Sequence, residues 1–286
     1  MEDYLATIKN VGLARWHQLD MPIKVYVEQT SGVTGFRPQY VEILKRAWGD
    51  WAEASTSKIS IRFVSDPARA RVICKWKDNK KDLNVPSTYK GAHSAFTLWS
   101  ISRGEMRRAN MNILTVNPHR TNPFVTDRAM RQVALHEVGH ALGILGHSDQ
   151  PSDIMFGFSF QDDTRSALSK RDINTLIALY TLDSSEISNH RFHASDAARV
   201  DASPLSKALR LNNEAFAAAQ ENNWDLAVAK LEEACKVDPC NKLVKKNLVT
   251  AYSCCGAKAL LKAYNISAAA GCFKKAITLL GERKCS

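Results

Sequence analysis
Cysteine is nearly missing from the front of this 286-residue chain: of seven, only Cys74 precedes residue 200. A disulfide-stapled scaffold is therefore excluded there. Long apolar runs are also missing, so no stretch reads as a helical membrane span. The opening MEDYLATIKN has neither a basic n-region nor an apolar h-region, and no signal peptide is expected in it. Motifs that read RNA or DNA are absent. The formal charge of +10 comes from 39 Lys and Arg residues set among 29 acids, which reads as a scattered basic surface and not as a nucleic-acid patch.

What is present is a globular composition, 45% hydrophobic and 24% charged, long enough for one medium domain and a smaller one. Residues 22–28 (PIKVYVE) alternate and predict a strand. Residues 38–56 carry Val41, Leu44, Trp48 and Trp51 at helical spacing. Residues 58–64, 70–76, 94–100 and 109–116 predict four more strands, the last two joined by a turn around Gly104. Residues 126–142 predict a helix with Thr126 as its N-cap, and another helix starts near Leu168 and Ser169. The order β-α-β-β-β-β-α gives an α+β fold, a five-stranded mixed sheet with three helices on it.

The stretch HEVGHALGILGHS, residues 136–148, carries the chemistry. His136 and His140 are four apart, so a helix aims both imidazoles at one point. Glu137 leans into the same space without binding there. Gly143 accepts the left-handed backbone that ends a helix, and the reversal brings His147 round as a third nitrogen donor. Three neutral imidazoles and one open position describe a catalytic zinc site, not a closed structural one. By average residue usage the five-residue constellation arises by accident on the order of once in 10⁵ sequences of this length, which makes ordinary surface histidines the weaker reading.

From residue 183 to 207 the chain is rich in Ser, Asp and Ala and reads as a linker, with His190 and His193 as exposed linker histidines. From residue 208 an Ala-rich pattern places Ala215, Ala227, Leu231, Ala234 and Pro239 at helix-turn-helix spacing. Leu248, Tyr252, Phe273 and Ala276 form a looser second copy, with about eight extra residues if a 34-residue period is kept. The pattern resembles a tetratricopeptide repeat, and a plain helical hairpin fits it as well. The six tail cysteines suit no paired zinc knuckle; they read as small buried thiols, or as a disulfide between some pair.

HExxHxxGxxH followed by a methionine turn resembles the metzincin clan of zinc endopeptidases, and within it the matrixins. Ser148 after the third histidine, Met155 eight residues beyond it and LSKRDINTLIALY carry that likeness, which spans roughly residues 15–182. The resemblance implies a twisted five-stranded sheet over the zinc helix, with Met155 as a hydrophobic floor below the metal and Asp172 supporting the methionine turn. Arg171 departs from the family, which has an acid there to hold a freed amino terminus. Phe156 and Gly157 replace the family's Tyr-Pro, and Phe158 excludes a tyrosine ligand. No cysteine-switch segment precedes the domain. Between Ala70 and His136 only His93 and His119 and hardly any acids occur, so structural zinc and calcium are not expected.

The resulting expectation is three units: residues 1–182 a matrixin-like zinc metalloprotease, 183–207 a linker, 208–286 a helical domain. One Zn²⁺ on His136, His140 and His147, with Glu137 as general base, would hydrolyse a peptide lying along strand 94–100 between Ser94 and Ser100, beside a pocket framed by Phe156 and Phe158. Gly143, Ser148, Met155 and Asp172 support that site. Expected partners are a protein or peptide substrate and a protein bound by the tail. The competing reading is a protein-binding module whose tail carries the function on a weakly active or inactive zinc domain, and a third is a small-amide hydrolase. The resemblance implies an extracytoplasmic place (secreted or in the cell envelope), and the missing leader a cytoplasmic one.

Overall fold
The computed structural model describes residues 2–30, 32–86, 93–116, 125–150, 152–157, 165–190, 207–208, 211–212, 214–215, 218–219 and 222–281. Residues 1–88 and 93–198 form one compact unit, and residues 199–286 belong to a second.

Alternation builds the sheet of the first unit. In β1 (Ile23–Val27) and β3 (Val72–Lys77) every second side chain is buried, the period a pleated strand imposes. With β2 (Ile61–Phe63), β4 (Ala95–Ser102) and β5 (Glu105–Leu114) they form a five-stranded sheet in the order β2-β1-β3-β5-β4. All pairings are parallel except β4 with β5. The mixed sheet expected from the sequence is thus present, and β4 is an edge strand. β2 is only three residues long, against the seven expected, because only Ile61, Arg62 and Phe63 pair with β1.

A first short helix, α1 (Leu5–Lys9), buries Leu5 and Ile8. Helix α2 (Gln39–Ala54) buries Tyr40, Val41, Leu44, Ala47, Trp48 and Trp51, one face at steps of three and four. Helix α3 (Asp127–Ala141) starts where the Thr126 side chain accepts from the Ala129 N–H at 3.2 Å. Helix α4 (Lys170–Thr181) starts at a capping box in which Ser169 and Asp172 each accept the other's backbone N–H, so two otherwise unpaired helix-end donors are satisfied together.

The segment around residues 2–16, inside the expected first unit, belongs to its core: Tyr4, Ile8, Leu13 and Trp16 are buried. One expectation needs correction. Residues 184–189, read as the start of a linker, form helix α5 (Ser184–Asn189), capped by Asp183 and Glu186. Leu13 N–H donates to His190 O at 2.6 Å and Ile187 is buried, so the first unit runs past residue 182. Both segments are held by contacts across the unit that local composition does not encode.

The second unit contains helical residues between 207 and 219, then α6 (Trp224–Val237), α7 (Lys242–Ala263) and α8 (Ile266–Gly281). Ala208, Leu211, Ala215, Ala227, Leu231, Ala234, Val244, Leu248, Tyr252 and Ala276 share one apolar cluster. Most of the residues singled out in the tail from the sequence are therefore buried, whereas Phe273 is more exposed. Helix α7 is 22 residues long, so part of the extra length expected within the second copy is helix. Cys240 is disulfide-bonded, while Cys235, Cys254, Cys255 and Cys272 carry free thiols.

Candidate metal centre
One turn of α3 separates His136 from His140, and the reversal at Gly143 returns the chain to them. Gly143 has φ +105° and a Cβ there would sit 2.2 Å from the Ala14 carbonyl oxygen, so both backbone angle and space require glycine. After it, Ile144 N–H donates to Gly139 O at 3.1 Å, closing the helix end. His147 then meets the other two: ring centroids are 4.7 Å apart for His136–His140, 5.2 Å for His136–His147 and 5.0 Å for His140–His147. One ligand atom from each lies within 4.8 Å of the others.

Two of the rings are fixed from behind. His136 Nδ1 contacts Ile154 O at 2.8 Å, and His140 Nδ1 contacts Ile144 O at 2.7 Å. A carbonyl at Nδ1 requires the proton there and leaves Nε2 with a free lone pair. Burial holds both imidazoles below their ordinary range, His140 at about 4, so they are neutral near pH 7. Neutral, oriented imidazoles are the donor set that zinc takes, and the residues present fit that ion.

Glu137 is buried, and its Oε2 accepts from Thr97 Oγ1 of β4 at 2.6 Å. Burial raises its carboxyl to about 7, against the smaller pull of the Thr97 hydrogen bond. Thr97 gave no signal in the sequence, being one member of an alternating strand. Three indoles also converge on α3: Trp51 donates to Leu135 O at 2.8 Å, Trp99 to His140 O at 3.0 Å and Trp16 to Ala141 O at 2.9 Å. The last two serve carbonyls near the helix end, where the intrahelical partners run out.

Met155 is fully buried against α3 at Gly139, where a Cβ would lie 2.3 Å from the Met155 sulfur. An interior helix glycine is the sequence signal for such close approach. Asp172 fixes the turn from below, accepting from Ile154 N–H at 2.8 Å and Met155 N–H at 3.3 Å. Ser148 N–H donates to Met155 O at 2.8 Å. The Ser148 hydroxyl bonds to buried Asp153, which also accepts from Ser169 Oγ at 2.7 Å. Arg171 pairs with Asp153 at 3.3 Å and Asp149 at 2.8 Å. Its guanidinium thus compensates the acids of the loop between His147 and Met155.

Around this centre, Ser94 and Ser100 are exposed beside and on β4. Phe156 is buried, with the Arg165 guanidinium over its ring at 5.7 Å, so it presents little open apolar surface. Phe158, His119 and His193 lie outside the described residues. His190, at the end of α5, is exposed and takes no part in the cluster.

A three-histidine centre on a helix, backed by a buried methionine turn under a mixed sheet, defines the metzincin-like class of zinc metallopeptidase domains. The chain belongs to the matrixin family, whose model matches residues 35–181. No curated protein matches it.

Proposed function
We propose that the chain is a zinc-dependent endopeptidase in which His136, His140 and His147 hold one catalytic Zn²⁺ and Glu137 is the general base. The observation that supports this best is geometric: His136, His140 and His147 offer ligand atoms within 4.8 Å of one another, and the buried Glu137 carboxyl stands next to His136 on the same helix. A carboxylate held there can take a proton and return it. When bound, the ion polarises the scissile carbonyl and lowers the pKa of water towards about 7.

The protein's own residues supply the rest. Thr97 occupies Glu137 Oε2, which leaves Oε1 to take the proton of the attacking water and pass it to the departing amine nitrogen. Strand β4 is the last strand of the sheet, and an extended peptide between Ser94 and Ser100 adds beside it as a further strand. A sheet edge suits a polypeptide better than a small amide. Asp172 and Ser148 keep the methionine turn in place. Acids are scarce between Ala70 and His136, so the proposal includes neither structural zinc nor calcium.

The test is cleavage of casein or gelatin by the full chain, with and without a chelator, beside Glu137→Ala. Chelator-sensitive cleavage that Glu137→Ala abolishes supports the reading. Zinc uptake without any cleavage shifts the function to protein binding by the helical unit, for which the repeat-like pattern is the only present support.

A further inference from the structure
Tyr4 lies 168 residues from Asp172 in sequence, yet its hydroxyl donates to Asp172 Oδ1 at 2.8 Å in the buried interior. Its own N–H donates to Thr175 Oγ1 at 3.0 Å, and the Arg171 guanidinium lies 5.5 Å from its ring centre. The residue is therefore held at its backbone and at its hydroxyl. The carboxylate it reaches is the one that holds the methionine turn: Oδ1 also accepts from Met155 N–H at 3.3 Å, and Oδ2 from Ile154 N–H at 2.8 Å and Ser169 N–H at 2.9 Å. The carbonyl of Ile154 in turn meets His136 Nδ1 at 2.8 Å. From Tyr4 to the first imidazole there is one continuous line of hydrogen bonds.

We infer that Tyr4 is a positioning residue for the metal centre, acting through Asp172 and the Ile154 peptide to keep His136 aimed at the ion. The inference rests on the zinc reading proposed above. Burial and the charge of Asp172 raise the Tyr4 phenol well above its ordinary range, so the hydroxyl stays a donor. Without it, Asp172 keeps only backbone donors among those described here and is freer to re-aim. The Ile154–Met155 peptide then loosens, and His136 loses the partner that fixes its tautomer and ring angle. Groups that orient a ligand from behind typically change metal affinity by about 10- to 100-fold when removed.

The experiment compares zinc-loaded full-length wild type, Tyr4→Phe and Tyr40→Phe for the rate of zinc transfer to a chromogenic chelator, with Tm measured in parallel. Tyr40 is an equally buried tyrosine on α2 whose hydroxyl donates to Val125 O, away from the methionine turn. Tyr4→Phe is expected to release zinc about tenfold faster, while Tyr40→Phe keeps the wild-type rate at a similar loss of Tm. In the Asp172→Asn background, Tyr4→Phe should add much less than it does alone, because both act through one carboxylate. A wild-type rate for Tyr4→Phe, an equal acceleration in Tyr40→Phe, or full additivity each overturns the inference. Should Asp172→Asn not fold, the two single tyrosine variants decide. A wild-type chain that takes up no zinc overturns the metal-site reading as well; normal zinc uptake with an unmoved Tyr4→Phe overturns this inference alone.

Discussion

Glu137 holds two roles that pull in opposite directions. Its folded carboxyl is raised from 4.5 to about 7 by burial, so in the metal-free protein folding favours the protonated form. That preference stabilises fully below pH 4.5 and is lost as pH rises through 7, a change on the order of 3 kcal/mol. Glu137→Gln removes the titration while leaving an oxygen for Thr97. The Tm difference between variant and wild type, followed from pH 4 to 8 in chelator, should therefore grow in favour of the variant across this window. Cleavage should fall by about 10²- to 10⁴-fold with zinc stoichiometry kept. His136 and His140 titrate the other way: held low by burial, they stabilise above the ordinary imidazole range, and this is lost as pH falls towards about 4. Because both proteins share that acid-side loss, it cancels in the comparison. His136, Glu137 and His140 were legible in the sequence because helical period places them, and His147 because the glycine stop at Gly143 turns the chain back. Thr97 and Tyr4 were not, since each finds its partner across the fold.

Helix α3 shows which element-scale features can be read from spacing. Its N-cap and its stop at Gly143 follow from local chemistry and lie close to where the sequence put them. Its packing did not follow. Gly139 is where the methionine turn presses on the backbone, and a methyl group there meets sulfur at 2.3 Å and Trp51 at 3.1 Å. Gly139→Ala should therefore displace Met155 and lower zinc occupancy in metal analysis, with a cost of about 1–3 kcal/mol typical of overpacking. Gly143→Ala faces a backbone oxygen that cannot step aside, and its loss should be larger in a chemical denaturation series. At α4, Asp172 caps the helix and carries the turn together, which explains why the acid is needed at that register. α5 escaped sequence reading because a six-residue helix has too few turns to show a period.

At the scale of the whole chain, the three-histidine cluster lies in the first unit and the helical tail in the second. Metal linkage should therefore act on one unit only. Calorimetry with and without chelator is expected to lower one transition, by an amount set by zinc affinity and concentration, and to leave the other in place. A single transition that moves as one would show the units to be energetically inseparable. The mixed sheet was legible because alternation and turn signals survive in short segments, whereas the first unit's true extent depends on Tyr4, Trp16 and Ile187 finding distant partners. The indoles that clasp α3 have a practical consequence. Trp99 stands edge-on to His140 with ring centres 5.9 Å apart, so its fluorescence is expected to respond to an ion held there. Exchanging zinc for paramagnetic cobalt should dim that emission, and Trp99→Phe should weaken the response, making the protein its own occupancy gauge.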